Sequence, residues 1–379
     1  MNQHFTRHQT KLYIAGMGMI TPVGGNAAMT FAAVNASISA YTLSSDFYNQ
    51  HFQPVTLAAI PDAVFSDVEA DIIQGDGFNE QHDRIIKMAI IALREACSQQ
   101  TIKQPIPLVL AMPEVHPGVE HSNASELIKN LVKNCQPWIS TSLSRSIHTG
   151  RAAGLEALAF AFDYLYDLAN DFILIGGSDS NLGDSRLNPL DAANRLLAQG
   201  NSDGFAPGEA AGFLLLTRRP ELALIRDDHI IALNPPGIAD EHGHLFSDLP
   251  YRGEGLDQAF KKALAHYSRT PVHSIYGSMN GENYWAKEYG VAFIRNRIAF
   301  QDPVRFEHPA DCYGDIGSAT SPILIALAAE HLFKTRQAGA HLVYSSSDTE
   351  KRGAVVVEKI AVSTLVAAEN FSHQVEDVS

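Results

Sequence analysis

The sequence has little of several features that define specialised classes of protein. Its 379 residues include only three cysteines, Cys97, Cys135 and Cys312, which are too widely spaced for a metal or disulfide motif. So few cysteines favour a reducing compartment, and we expect a cytoplasmic protein without a metal site. No apolar run approaches the ~20 residues of a membrane-spanning helix, so no membrane association is expected. Residues 1–10 carry charge and histidine without an apolar run, so no secretion signal is expected either.

Basic residues are also scarce. The chain has 28 Lys and Arg residues against 42 Asp and Glu, which gives a formal net charge of -14. No basic patch stands out, so no binding to a nucleic-acid backbone is expected. No glycine cluster is followed by a phosphate-binding lysine, and the pair Gly16 and Gly18 lacks the third glycine of a dinucleotide fingerprint. We therefore expect no nucleotide or other cofactor.

What the chain does contain is apolar residues, 45% of the total, arranged as alternating strands and helices. Strands are predicted at residues 12–19, 108–112, 172–175, 213–217, 230–233, 274–278, 341–345 and 353–357. Helices are predicted at residues 27–35, 82–98, 152–167, 255–266 and 323–333. Because most of the strands are uniformly apolar, they indicate an α/β fold whose sheets are covered on both faces.

The order of these elements predicts two related halves, with the changeover near residues 218–228. We place an N-terminal half at residues 1–220 and a C-terminal half at residues 221–379. Residues 41–75 are polar and interrupted by proline, which predicts an irregular surface excursion. The last ten residues, 370–379, are expected to be frayed.

The helix at 152–167 is almost wholly apolar and should be buried, and a tight turn precedes it. The N-terminus of a buried helix presents free N–H groups and a positive dipole end, which favour an anionic nucleophile such as a cysteine thiolate. Here Arg151 occupies that position. An arginine can bind an anion but cannot attack an acyl group, so this residue decides whether the chain is an enzyme.

Three segments carry a resemblance to one family. Residues 14–24 (IAGMGMITPVG) resemble the opening strand of the β-ketoacyl synthases, and residues 173–180 (ILIGGSDS) resemble the strand after their nucleophile helix. Residues 202–212 (SDGFAPGEAAG) are close to the family's Asp-Gly-Phe-x-x-Gly-Glu-Gly-Ala-Gly signature. The resemblance implies the thiolase fold, with two pseudo-equivalent α-β-α-β-α halves in five layers. It also implies a dimer formed through an edge strand.

The family's condensing enzymes use one cysteine and two histidines, and the matching segments lack all three. Arg151 stands at the cysteine position, Asn280 at the first histidine and Gly314 at the second. The resemblance therefore implies a 3-oxoacyl-carrier-protein-synthase-like protein that does not condense, acting as a pseudoenzyme, partner subunit or adaptor. Its expected partners are a twin chain or a ketosynthase-like subunit, and an acyl carrier protein.

Two alternatives stay open. The site could be rebuilt as an acyltransferase around Cys312, with His148, Glu282 or Asp315 as the base. The chain could instead bind an acyl ligand whose carboxylate or phosphate is held by Arg151. Against ligand binding by Arg151, we favour a buried ion pair of Arg151 with Glu282 or Asp315. Residues 283–289 concentrate aromatic and polar groups, which predicts a recognition surface.

Overall fold

The computed structural model describes residues 11–69, 80–115, 123–167, 170–269, 271–336 and 339–364. The strands are β1 (Leu12–Ile20), β2 (Thr42–Tyr48), β3 (Pro54–Leu57), β4 (Leu108–Ala111), β5 (Arg145–Ile147), β6 (Ile173–Ser180), β7 (Glu209–Thr217), β8 (His229–Leu233), β9 (Gly237–Asp240), β10 (Val272–Gly277), β11 (Phe300–Glu307), β12 (Ala340–Ser346) and β13 (Lys351–Ala361). The helices are α1 (Ala27–Asn35), α2 (Ser66–Glu69), α3 (Glu80–Ser98), α4 (Ala124–Asn134), α5 (Ala153–Asp167), α6 (Asp184–Ala192), α7 (Glu254–Leu264), α8 (Asn283–Arg295), α9 (Ala310–Tyr313) and α10 (Thr320–Lys334). Two predictions fall on residues outside the described part of the chain. They are the lack of a secretion signal at residues 1–10 and the fraying of residues 370–379.

Two five-stranded sheets with the same internal order meet at the antiparallel pair β1 and β8. Reading outward from this junction, one sheet runs β1-β7-β6-β4-β5 and the other β8-β13-β12-β10-β11, with β9 added beside β13. In both sheets the first two pairings are antiparallel and the next two are parallel. The repeated order and direction confirm the two pseudo-equivalent halves. The boundary at 220/221 falls in a 3-10 helix, Pro220–Leu222, and stays a prediction.

Helices α5 and α10 form the central layer, between the two sheets. Helix α10 packs on β7 of one sheet and on β12 and β13 of the other, and α5 contacts β6 and β13. Helix α3 covers the outer face of the first sheet, while α7 covers the outer face of the second. The layers are therefore α-β-α-β-α, as the thiolase fold requires. The predicted helix at 152–167 is buried because it lies in this central layer.

Two predicted strands are shorter than the observed ones because glycine and small residues were read as turns. Strand β6 continues through Gly176 and Gly177 to Ser180, and β7 begins at Glu209. A Cβ on Gly177 would lie 2.5 Å from the carbonyl oxygen of Ser318, so only glycine lets the strand pass the start of α10.

The segment 41–75 is more ordered than predicted, as far as it is described. Strands β2 and β3 pair there as a separate two-stranded sheet. Val55, Ile60 and Phe65 are buried, so the segment packs on the body of the protein. Residues 70–75 lie outside the described part of the chain.

Candidate functional site

The N-terminal end of α5 is fixed by the far half of the molecule. A 3-10 turn, Gly150–Ala152, leads into the helix. Gly150 has a φ of +62°, and a Cβ there would lie 2.6 Å from the side chain of Glu114. The N–H of Ala152 donates to the Ser347 hydroxyl over 3.1 Å, so this orphan donor of the helix start is already satisfied.

Arg151 is 6% exposed and its guanidinium is fully engaged. Its Nε donates to the carbonyl oxygen of Ser346 over 2.8 Å, and its two terminal nitrogens bind Asp315 (2.6 Å) and Asp348. The guanidinium carbon also lies 4.6 Å from the centre of the Trp285 ring. The predicted ion pair of Arg151 is therefore present with Asp315.

A second buried arginine, Arg195, completes the arrangement. It binds Glu282 with two parallel hydrogen bonds of 2.7 and 2.8 Å, and it binds Asp348 over 2.6 Å. Such forked pairing is the strongest form of an arginine–carboxylate contact. Glu282, which we considered as a partner of Arg151 or as a base, is instead held by Arg195.

Asn280 joins the two ion pairs. Its side-chain amide donates to Asp315 over 2.7 Å and to Glu282 over 3.2 Å, and the indole N–H of Trp285 donates to Glu282 over 2.9 Å. We call the six residues Arg151, Arg195, Asn280, Glu282, Asp315 and Asp348 the charged cluster. All are less than a tenth exposed, and every carboxylate oxygen in the cluster accepts at least one hydrogen bond.

The loop after β12 is tied down from both sides. Glu114 accepts the backbone N–H groups of Asp348 (2.9 Å) and Thr349 (2.8 Å). Burial and the neighbouring Asp348 raise the pKa of Glu114. Arg352, which is fully buried, donates to the carbonyl oxygens of Ser347 and Thr349. Asp348 is therefore held in place from its backbone as well as from its carboxylate.

Gly314 contributes no side chain and has no room for one. Its φ is +78°, and a Cβ would lie 2.6 Å from the carbonyl oxygen of Ala206. The residue of this loop that reaches Arg151 and Asn280 is the next one, Asp315. The site is therefore formed by Arg151, Asn280 and Asp315, with Gly314 as the backbone turn that presents Asp315.

The structure does not bring the candidate nucleophile Cys312 into the cluster. Cys312 is 6% exposed and packs in the central apolar core. Burial, with a smaller contribution from Asp311, raises the pKa of its thiol to about 11. A thiol with that pKa is almost entirely protonated at neutral pH and is a poor nucleophile.

His148 is exposed, and its ring nitrogen hydrogen-bonds with the hydroxyl of Ser146 over 3.0 Å. It is not among the residues of the charged cluster. The rebuilt acyltransferase site with Cys312, His148 and Glu282 is thus not assembled.

A cavity of about 510 Å³ opens beside the charged cluster. Its lining includes four residues of the charged cluster, Arg151, Arg195, Asp315 and Asp348, which we call the floor, and residues at and just after helix α6, which we call the α6 wall. The other lining residues are Pro113, Glu114, Val115, Gly150, Asp179, Asn181, Phe205, Phe246, Gly317 and Thr349. The size is typical of small-molecule sites.

Sequence reasoning missed Arg195, Asp348 and Glu114, because they come from three loops far apart in the chain. Residues 283–289, predicted as a recognition surface, form the start of α8. Trp285 is 3% exposed and Glu288 is 1% exposed, so these two side chains face the interior, whereas Asn283, Ala286 and Lys287 are exposed. The recognition surface stays a prediction. Trp285 and Glu288 are three residues apart and therefore share one helix face, and this spacing was the sequence signal for a buried face.

Comparison with solved structures decides the fold. The ishigamide ketosynthase/chain length factor superposes with a TM-score of 0.73 at 17% identity, over 93% of this chain and 99% of that one. The fold is that of the ketosynthases. A type II polyketide ketosynthase in complex with its acyl-carrier protein (AntDE:AntF) gives a TM-score of 0.70 at 16% identity, over 93% and 99% of the two chains. A ketosynthase with its chain length factor from Xenorhabdus doucetiae gives 0.66 at 14%, over 94% and 100%.

The ketosynthase fold is thus shared almost end to end, at low identity. The sequence itself matches no protein-family model and no curated protein. Among the helices of the described residues, none is both long enough and apolar enough to span a bilayer.

Proposed function

We propose that this chain is a ketosynthase-like protein that does not condense acyl groups and that acts as a partner subunit. The observation that carries the proposal is the state of Arg151. It occupies the place where the resemblance puts the nucleophile, and all three of its guanidinium nitrogens are bound by groups of the protein. Neither a nucleophile nor a free anion-binding group is left at this point.

The two histidine positions support the same proposal. Condensation needs groups that stabilise a developing oxyanion, and the family's histidines serve that role. Asn280 is committed to Asp315 and Glu282. Asp315 fits the second histidine position better than Gly314, since it is the side chain that meets Arg151. An aspartate there would repel an oxyanion.

A partner role is supported by the proteins that share the fold. Two of the three solved structures described above pair a ketosynthase with a chain length factor, and another includes an acyl-carrier protein. We propose that this chain associates with a ketosynthase-like subunit or with a twin, in the cytoplasm, and that an acyl carrier protein is its further partner.

Intact-mass spectrometry after incubation with acyl-coenzyme A and with an acylated carrier protein tests the absence of chemistry. We expect no covalent adduct. An adduct that disappears in a Cys312→Ala variant would replace the proposal by an acyltransferase working through Cys312.

Co-expression with a ketosynthase from the same organism tests the partner role. The expected result is a one-to-one complex on size exclusion with light scattering. If the two proteins elute separately at micromolar concentration and this chain elutes with the mass of a monomer, the partner role is refuted.

A second function, non-covalent ligand binding, is favoured by the cavity beside the charged cluster. The cavity is the right size for a small molecule, and the two arginines of the charged cluster that line it are already paired with carboxylates.

A further inference from the structure

The cavity has three arginines in its lining, and two of them are paired with carboxylates at contact distance. Arg151 and Arg195 each bind two carboxylates of the charged cluster. Among the described residues, the guanidinium of Arg186 has no hydrogen bond and no carboxylate within ion-pair distance, yet it lines the cavity. An unpaired guanidinium at the wall of a cavity is a ready partner for a carboxylate or phosphate.

Asp179, which interacts electrostatically with Arg186, makes no hydrogen bond or ion pair with it at contact distance. Asp179 is 2% exposed and its oxygens accept the backbone N–H groups of Ser180 and Ser318, each over 2.9 Å. Burial raises the pKa of Asp179, and the positive charge of Arg186 partly opposes that rise. The Asp179 carboxyl takes its hydrogen bonds from the backbone, so the N–H donors of Arg186 remain available to a ligand.

Apolar groups continue from Arg186 along one face of helix α6. Pro189 and Leu190 follow it at spacings of three and four residues on the same face of the helix, and Ala193, the C-cap residue just after the helix, follows at seven. Phe205 lies in the lining as well, and Phe246 and Val115 stand exposed at 54% and 62%. One wall of the cavity therefore has a cationic end and an apolar remainder.

The floor of the cavity sets the polarity of a ligand. The charged cluster and Glu114 together bring four carboxyl groups against two arginines, so the floor does not attract an anion. A negative group is favoured only at Arg186, and an apolar group only along the α6 wall. These two conditions fix how a ligand must lie.

We infer that the cavity binds, without covalent reaction, an amphiphile with an apolar chain ending in a carboxylate or phosphate, held at that end by Arg186. This inference rests on the proposed absence of acyl transfer, because a covalent acyl-enzyme would occupy the same space. It differs from the ligand-binding alternative left open by the sequence, in which Arg151 would hold the anion.

Isothermal titration calorimetry on the full chain with decanoate, decyl phosphate, decanol and decylammonium tests the inference. We expect decanoate or decyl phosphate to bind at least tenfold more tightly than decanol, and the difference between the two anions identifies the preferred end group. Equal affinity for decanol and both anions would overturn the role of Arg186. Tighter binding of decylammonium would also overturn the inference, because the carboxylates of the floor would then select a cationic end group.

Three variants locate the site. Arg186→Gln is expected to bring the anions down to the affinity of decanol and to leave decanol unchanged. Ala193→Phe fills the apolar end at an exposed position and should weaken anions and decanol alike, by tenfold or more. The matched control is Arg269→Gln, an exposed arginine that does not line the cavity and should change nothing.

An unchanged anion affinity in Arg186→Gln would refute the site, provided its thermal unfolding matches the wild type. Failure of every ligand to bind would also refute it, while leaving the non-condensing proposal standing. Conversely, a covalent adduct in the mass spectrum would refute that proposal irrespective of the calorimetry.

Discussion

At the scale of single residues, the main feature is that Arg151 occupies the position to which the family resemblance assigns a nucleophile. Arg151 and Arg195 share Asp348, and each also holds a carboxylate of its own, Asp315 or Glu282. Buried ions cost several kcal/mol each to desolvate, so such a group is stable only when nearly every donor and acceptor is matched. The cluster meets that condition, which makes each member hard to change alone.

Arg151→Cys is predicted not to restore condensation. The new thiol would face Asp315 and Asn280 in place of two imidazoles, so the oxyanion of the reaction would lack its stabilising groups. Malonyl decarboxylation and chain extension, followed by liquid chromatography with mass spectrometry, should stay at the level of the protein-free control. Measurable turnover by this single variant would contradict the non-condensing proposal.

Arg195→Ala is predicted to destabilise the fold by about 3–5 kcal/mol, because Glu282 and Asp348 each lose a buried cation. Urea unfolding followed by circular dichroism gives the free energy. Arg195→Lys keeps the charge but loses the fork and should lie between the variant and the wild type. Arg297→Ala removes an exposed ion pair with Asp302 and should cost no more than about 1 kcal/mol. Similar losses for Arg195→Ala and Arg297→Ala would contradict the assigned role of the cluster.

A buried histidine couples stability to pH. His341 is 3% exposed, and burial together with His331 and His273 lowers its pKa from 6.5 to about 3. The unfolded chain therefore binds a proton below pH 6.5 that the folded chain refuses until about pH 3. Stability is present above pH 6.5 and is lost as the pH falls through this window, by up to ~1.4 kcal/mol per pH unit.

His341→Leu tests this coupling. The slope of unfolding free energy against pH between 6.5 and 4 should be flatter in the variant than in the wild type. Parallel slopes would show that other groups carry the acid sensitivity.

At the scale of elements, the sequence predicted the apolar ones well. Helix α1 was placed at its observed bounds, and β1, α3, β8 and α10 within three residues at each end. These segments owe their form to burial of a continuous apolar surface, which periodicity reports directly. The edge strands β5 and β11 and the helices α4, α6 and α8 were not predicted. Apolar and polar residues are mixed in these segments, because the segments lie at the rim of the molecule and bury less of their surface.

The site was predictable only in part, for a related reason. Arg151, Asn280, Glu282 and Asp315 were named because they fall on or beside family motifs, and the structure places all four together. Arg195, Asp348 and Glu114 were not predicted as site residues, because no spacing along the chain brings them together. Their proximity is a property of the folded loops around α5.

Two glycines offer opposite tests of backbone strain. Gly314 has a positive φ and a carbonyl oxygen where its Cβ would be, so Gly314→Ala should cost about 2 kcal/mol or more. Gly290 lies inside α8 with open space around it, so Gly290→Ala should stabilise the fold by about 0.5–1 kcal/mol. Thermal unfolding of both variants decides the matter. A stabilised Gly314→Ala would show that the loop presenting Asp315 is not strained.

At the scale of the whole molecule, the two ends of the joined sheets differ. Strand β5 ends one sheet and pairs only with β4 among the described residues, while β11 ends the other and contains Pro303. Proline in an edge strand blocks further pairing, so β5 is the more open edge. In the proposed dimer, β5 is therefore the strand that meets its counterpart.

Small-angle scattering at micromolar protein should give twice the mass of one chain. In hydrogen exchange, the amides of β5 should become more protected as concentration rises, while those of β11 should not. A single monomeric species, or protection limited to β11, would contradict the dimer through β5.

The contact of Trp285 with two guanidinium groups has a practical consequence. Arg151 lies 4.6 Å from its ring centre and Arg352 lies 5.6 Å away, and the chain has only one other tryptophan, Trp138. In a Trp138→Phe variant, the intrinsic fluorescence would come from this position alone. Trp285 is therefore an intrinsic fluorescent probe in contact with the charged cluster. A partner or ligand that rearranges the cluster can be followed without a dye.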